Sequence, residues 1–201
     1  MAGSAQCRVD TPIVEAFPTA RISVPDSIET APEAARPLLE GVKAGLGIVP
    51  NLYKLLSVSP AGLEGVLGLN GALAKGKLSP QTRHRIALAV ANVNGCNYCN
   101  SAHTFIAKSL KLDDAEIQAN RTGHSADAKA DAAVQFARKV SIQRGAVSEA
   151  DLQALKAAGF SDGEAIEIVL HVALNVATNY INEVFKTDID FPATPAAQRA
   201  A

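Results

Sequence analysis

The 201-residue chain has no tryptophan, one methionine and three cysteines, and aromatic residues make up 4% of it. A core with so few large rings has to be assembled from small aliphatic side chains. Alanine supplies 37 residues, and hydrophobic residues reach 48%. This composition suits helices that approach one another closely. Each such contact buries little area, so a bundle of this kind gains further burial by self-association. An excess of charge is also missing, since 19 basic and 20 acidic side chains leave a net charge of -1. Nothing in that balance would hold a nucleic acid or an acidic membrane surface. No stretch reaches the roughly eighteen uncharged apolar residues of a spanning helix. The longest candidate, residues 165–176, is interrupted by Glu167, His171 and Asn175. The first residues carry no basic flank followed by an unbroken apolar run, so they read neither as a secretory signal nor as an anchor. A soluble, cytoplasmic protein is expected. Three cysteines are too few for a secreted disulfide scaffold, and two stand close together, which in a reducing compartment points to redox chemistry or metal.

Residues 1–28 mix several prolines with short apolar pieces, and the pattern predicts an extended arm lying across the domain or a neighbouring subunit. A single all-α domain, a compact helical bundle, is expected over 29–190, with a flexible tail over 191–201. Helical spacing runs over residues 31–46 and stops at the Gly45, Gly47, Pro50 cluster. A short helix follows to Ser57. Ser59-Pro60 and Ser79-Pro80 each read as a cap with proline in the first turn, opening helices over 60–76 and 80–94. Asn94-Gly95 is the next break, and a helix from Cys96 to about Leu110 comes after it. A short helix begins at Asp113 or Asp114 and runs toward Ala119, and 120–127 reads as a loop. Helices are then expected over 128–143, 149–158 and 161–185, the last opened by the Ser161/Glu164 capping box. That makes seven to nine helices and no convincing strand. On the last helix His171, Asn175, Asn179 and Asn182 recur at helical spacing among apolar neighbours. Buried amides must be paired, so this stripe should bond across a helix or subunit contact, and His171 or Asn175 could line a site there.

The chemistry concentrates in Asn94-Gly95-Cys96-Asn97-Tyr98-Cys99-Asn100-Ser101-Ala102-His103. Two cysteines at i and i+3 in a first helical turn can come within bonding reach, and His103, four residues after Cys99, shares their face. Unpaired amides and partial positive charge at a helix start favour thiolate over thiol, and a nearby imidazole adds a base. Cys99 lies one turn from His103 and is read as the nucleophile. Cys96, at the helix end, is placed to resolve an oxidised Cys99. Two other readings stand beside this one. The cysteines could be small buried hydrophobes, or Cys96, Cys99 and His103 could hold zinc with His84, His124 or His171 as fourth ligand. Cys7 has no partner signal.

The segment LSPQTRHRIALAVANVNGCNYCNSAHTFIAK, residues 78–108, resembles the core motif of the alkylhydroperoxidase D-like branch of the carboxymuconolactone decarboxylase superfamily. Residues 47–65 are similar to that branch's lead-in and 160–184 to its last helix. The resemblance implies an all-α thiol-dependent peroxidase, or a disulfide reductase, built as a homotrimer or homohexamer. It also implies peroxide attack at Cys99, resolution by Cys96 as an intramolecular disulfide, and a proton relay through His103. Reductant would come from an external dithiol or a lipoyl-type protein; no cofactor and no resident metal are expected. The decarboxylase branch lacks the cysteine pair. One position departs from the pattern: the family's Glu, twelve residues before the first cysteine, is His84 here, between Arg83 and Arg85. A carboxylate there would raise the basicity of His103, whereas a second imidazole would lower it while still passing protons. His84 is read as the replacement member of the relay, the alternative being a residue on a solvated, arginine-rich face. Tyr98 could donate a hydrogen bond or shield the pair, and Glu167, one turn before His171, could replace the missing carboxylate if the fold brought it close. A zinc-binding or redox-sensing helical module is the non-enzymatic reading.

Overall fold

The structure, a computed structural model, describes residues 20–196. Cys7, most of the arm expected over 1–28 and the last five residues of the tail lie outside that range. Among the described residues there are helices and no strand. In chain order they are α1 (Arg36–Leu46), α2 (Asn51–Leu56), α3 (Pro60–Leu73), α4 (Pro80–Asn94), α5 (Asn97–Ser109), α6 (Asp114–Thr122), α7 (Ala128–Ile142), α8 (Glu149–Ala157) and α9 (Asp162–Phe185).

Helix starts fall where the sequence signals place them. Ser59, Ser79, Asp113, Asp127, Ser148 and Ser161 each accept a backbone N–H with the side chain, and both Ser148 and Ser161 complete capping boxes. Some boundaries differ. The helix expected from residue 31 becomes a 3-10 turn, Glu33–Ala35, followed by α1. Pro37 has no N–H to donate and is tolerated only in a first turn, which sets the start at Arg36. The helix expected to reach Gly76 ends at Leu73, because Glu167 of α9 enters there. Its Oε2 accepts the N–H groups of Lys77 and Leu78 at 2.9 and 3.3 Å, and a Cβ at Gly76 would lie 2.5 Å from it. Conversely α6 runs on to Thr122, where Gly123 closes it in the left-handed region.

α4 is the axis of the bundle and packs against α5, α6, α7 and α9. Six consecutive residues, Ile86 to Ala91, are buried, so this helix is enclosed on every side. Its small Ala87, Ala89 and Ala91 allow close approach, while Ile86 and Val90 enter the main core with Phe136, Leu155, Ile168 and Val172. Ile28, Ala31, Ala35, Leu39, Leu56 and Leu63 form a second core under α1 to α3. Fully burying a leucine such as Leu39 or Leu63 contributes about 1.5 to 3 kcal/mol. No helix among the described residues is long and apolar enough to cross a membrane.

Candidate active site

The cysteine pair is positioned by a helix-to-helix junction with no slack. Gly95 sits at φ 68° and donates its N–H to Asn92, while Cys96 donates to Ala91, so that α4 ends in a Schellman turn. A side chain at residue 95 would oppose this backbone, which is the reason for glycine there. Cys96 then serves at once as N-cap of α5, its Sγ accepting the N–H of Cys99 at 3.1 Å. The two sulfurs lie at disulfide distance and the Cα atoms are 5.3 Å apart. Both residues are buried, Cys96 fully. They pack with Ala91, Tyr98 and Ala102, and Leu52 and Phe191 close over them.

Three neighbours tune this cluster. Asn182 of α9 donates from Nδ2 to Cys99 Sγ at 3.3 Å, and its Oδ1 has no hydrogen-bond partner. Asn100, also buried, donates to the Cys96 carbonyl at 2.9 Å and accepts from Arg121. Tyr98 turns its hydroxyl away from the sulfurs to accept the Leu52 N–H at 3.1 Å, while Asp190 accepts the Asn51 N–H at 2.7 Å. These two bonds cap α2, whose own N-cap residue is Pro50 and has no side chain able to do so. Burial pushes the Tyr98 phenol above its ordinary range, so it stays protonated. Phe191 stacks edge-on against Tyr98 at 5.7 Å between centroids and touches Phe105 at 5.8 Å. Residues 191–196 thereby lie along α5, with the Thr194 N–H bonded to Ser101 at 2.8 Å and the Ala196 N–H to Asn97 at 2.9 Å.

The histidines meet one turn away. His84 Nδ1 and His103 Nδ1 are 3.1 Å apart, so one ring donates and the other accepts. Burial is the main reason that His84 falls to about 3 and His103 to about 4. For His84 the charges of His103, Arg83 and His171 push the same way, while a hydrogen bond with Asn175 opposes the shift at His103. At neutral pH the pair is therefore uncharged. Asn175 donates its amide to the His171 carbonyl at 2.8 Å. His171 is buried and held at about 4, by burial first and then by Arg83, with Glu167 opposing.

His84, His103, His171 and Asn175 line one cleft of about 130 Å3, together with Arg83 and the apolar Leu52, Val66, Ala87 and Leu174. The cleft and the cysteine cluster share Leu52 and continue along the same three helices: Ala87 precedes Ala91 by a turn, His103 follows Cys99 by a turn, and Asn175 leads through Thr178 to Asn182. Among the described residues neither sulfur hydrogen-bonds to His103, whose Nδ1 faces His84. Glu167 does not reach the pair, since it is held at Lys77 and Leu78. No three His, Cys, Asp or Glu side chains among the described residues gather as a set able to hold a metal ion, and His124 lies apart, beside Asp131. Asn182 and Asn175 carry contacts that residue-by-residue reading of the Cys motif misses; the polar stripe on the last helix was their signal.

Residues 60–143 match the family model described as the carboxymuconolactone decarboxylase family. The chain is similar to the alkylhydroperoxidase core of an uncharacterized peroxidase-related protein from Ralstonia eutropha JMP134. That likeness has 26% identity and a TM-score of 0.78, and covers 87% of this chain and 94% of that one. The family match over 60–143 and this likeness support a place in the carboxymuconolactone decarboxylase superfamily, on the side of its alkylhydroperoxidase D-like branch. In fold it is also similar to a peroxidase-related protein from Silicibacter sp. TM1040, at 22% identity and TM-score 0.76, covering 88% and 95% of the two chains. A third likeness is to the debrominase Bmp8 in complex with 2,3,4-tribromopyrrole, at 21% identity and TM-score 0.72, covering 85% and 94%. Among curated proteins nothing matches significantly. The chain shares the all-helical fold of these proteins, and its Cys-x-x-Cys pair lies at disulfide distance.

Proposed function

We propose that the chain is a thiol-dependent peroxidase in which Cys99 is the nucleophile, Cys96 the resolving thiol, and His103 with His84 the proton relay. The observation that supports this most is the juxtaposition of a buried cysteine pair at disulfide distance with a neutral imidazole pair one helical turn away. In the cycle, the His103–His84 pair accepts the Cys99 proton. The thiolate then attacks the outer oxygen of a hydroperoxide, and the O–O bond breaks. Sulfur is oxidised to a sulfenic acid, and the alkoxide leaves with the proton that the relay returns. The Cys96 thiol attacks the sulfenic sulfur, releasing water and forming the disulfide. An external dithiol or lipoyl-type protein reduces it by exchange. Asn182, donating to Cys99 Sγ, favours its thiolate over its thiol.

The reading includes a cytoplasmic homotrimer or homohexamer. Ile166, Val169, Leu170, Tyr180 and Val184 form an exposed apolar stripe along α9, which suits packing against another copy. The domain layout, with an arm over 1–28 and a tail over 191–201 around a core at 29–190, is part of the same proposal.

The test is the intact mass and free-thiol count of reduced, metal-stripped protein before and after one equivalent of an organic hydroperoxide, with Cys96→Ser and Cys99→Ser alongside. The expected result is loss of two thiols as one disulfide, and a sulfenic acid trapped at Cys99 when Cys96 is absent. Thiols that stay free toward peroxide but exchange with a disulfide substrate would make the chain a reductase only. Thiols that titrate only after metal removal would make the pair a ligand set and end the peroxidase reading.

A further inference from the structure

The histidine cleft also carries a polar pair that the peroxidase cycle does not use. Arg83 and His171 both line the cleft. Arg83 Nε is buried and has no hydrogen-bond partner, and among the described residues no carboxylate lies within ion-pair distance of the guanidinium. His171 is 4% exposed, and its Nε2 is likewise buried without a partner. Buried polar atoms in native proteins are nearly always satisfied, so two orphans on residues that line one cavity mark a place where a ligand supplies the partners: an acceptor for Arg83 Nε and, in the Nε2–H tautomer, one for His171. Glu167, the acid whose charge acts on His171, is occupied by the amides of Lys77 and Leu78.

The shape of the missing group follows from these atoms. A guanidinium offers planar, parallel donors that match a carboxylate in bidentate fashion. Leu52, Val66 and Leu174 give the same cleft an apolar lining beside His103. We propose that this cleft binds a short-chain organic hydroperoxide bearing a carboxylate, with the acid on Arg83 and His171 and the hydroperoxide directed past His103 toward Cys99. The proposal rests on the peroxidase reading for its reactive end only. The acid clamp is a property of the cleft and is testable without turnover.

The experiment pairs equilibrium binding with kinetics. The binding probe is the unreactive parent carboxylate, titrated into the oxidised protein while the His171 imidazole resonances are followed. Saturable binding that moves them, lost in Arg83→Gln and weakened in Arg83→Lys, is expected. The kinetic probes are a tertiary alkyl hydroperoxide with a terminal carboxylate and its methyl ester. The acid should show a KM at least about tenfold below that of the ester, as befits a charge-assisted pair, and Arg83→Gln should collapse this ratio toward one. Absence of carboxylate binding to the wild-type protein overturns the proposal, as does an acid-to-ester ratio of one in an active enzyme. If neither hydroperoxide is turned over, the peroxidase reading fails, and the binding titration alone then decides whether the clamp exists.

Discussion

Two neighbouring residues of α4 meet burial in opposite ways. Arg85 keeps its charge: its Nε bonds Glu116 Oε1 at 2.7 Å, with the two side chains only 14% and 10% exposed. Glu116 also accepts from Asn120 at 2.9 Å, Ser125 at 2.6 Å and the Ala126 N–H at 2.8 Å. Burial alone would raise its pKa, yet the bonds from Ser125, Ala126, Asn120 and Arg85 hold it at about 2. His84, one residue earlier, has no carboxylate and meets another imidazole, so burial leaves both rings neutral. A buried charge whose two carboxylate oxygens both accept hydrogen bonds ties helices together. A buried pair of neutral imidazoles has no counter-ion to fix its charge and can hand a proton from ring to ring, although burial opposes its charged form.

The largest expected effect breaks the structural half of this contrast. Glu116→Ala leaves Arg85 charged and unpaired inside the bundle and strips the 124–126 loop of its anchor, so unfolding free energy should drop by about 3 to 5 kcal/mol. His84→Gln, one residue from Arg85, should change stability far less while slowing peroxide reduction and shifting its pH profile. Urea denaturation of both variants, with rates on the folded fraction, checks the pair. Equal losses of stability would mean that the histidine pair is as structural as the ion pair.

Acid titration separates the same two regions by pH window. His84, His103 and His171 have folded pKa values below their ordinary 6.5. The unfolded chain therefore binds more protons, and stability falls as pH drops from 6.5 toward about 4 for His103 and His171 and toward about 3 for His84, by at most about 1.4 kcal/mol per pH unit for each ring. Glu116 acts lower. Its contribution is full above 4.5 and is lost as pH falls toward 2. Denaturation midpoints across pH 7 to 3 should show both windows in the parent protein. In Glu116→Gln the lower loss should shrink, and the upper one should persist. A flat profile between 6.5 and 4.5 would show that the histidines are not buried neutral.

The legibility of these features in the sequence follows how local they are. Cys96, Cys99 and His103 share one helix behind a Gly95 break, so spacing alone placed them on one face. The Ser and Asp caps acted within three residues of themselves and could be read directly. The partner of His84 lay nineteen residues away, and only the resemblance drew attention to that position. The capping of α2 by Asp190 and Tyr98, the seating of Glu167 on the 77–78 amides, and the Arg85–Glu116 pair each join distant segments. Their residues carry no local pattern that distinguishes them from surface polar groups. The stripe on α9 was visible as a stripe. Its targets were set by how α9 lies against α4 and α5, which periodicity does not encode.

Asn182 offers the smallest and most selective measurement. It belongs to the buried stripe but bonds a sulfur rather than another amide, at 3.3 Å. A neutral hydrogen bond of this kind contributes about 1 kcal/mol, so Asn182→Ala should slow the reaction of Cys99 with peroxide by about fivefold. If the amide acts on the thiolate, the pH dependence of alkylation in the reduced protein should move toward higher pH in the variant, since the charged form has lost a donor. A purely structural role would lower the denaturation midpoint and leave the alkylation profile where it was. The comparison with Asn179 sharpens the result. That residue accepts from Asn94 at 2.9 Å one turn up the same helix and touches neither sulfur nor imidazole through that bond. Asn179→Ala should therefore cost stability and leave thiol reactivity unchanged, and a matching shift in both variants would move the effect from the Asn182 hydrogen bond to the packing of α9 as a whole.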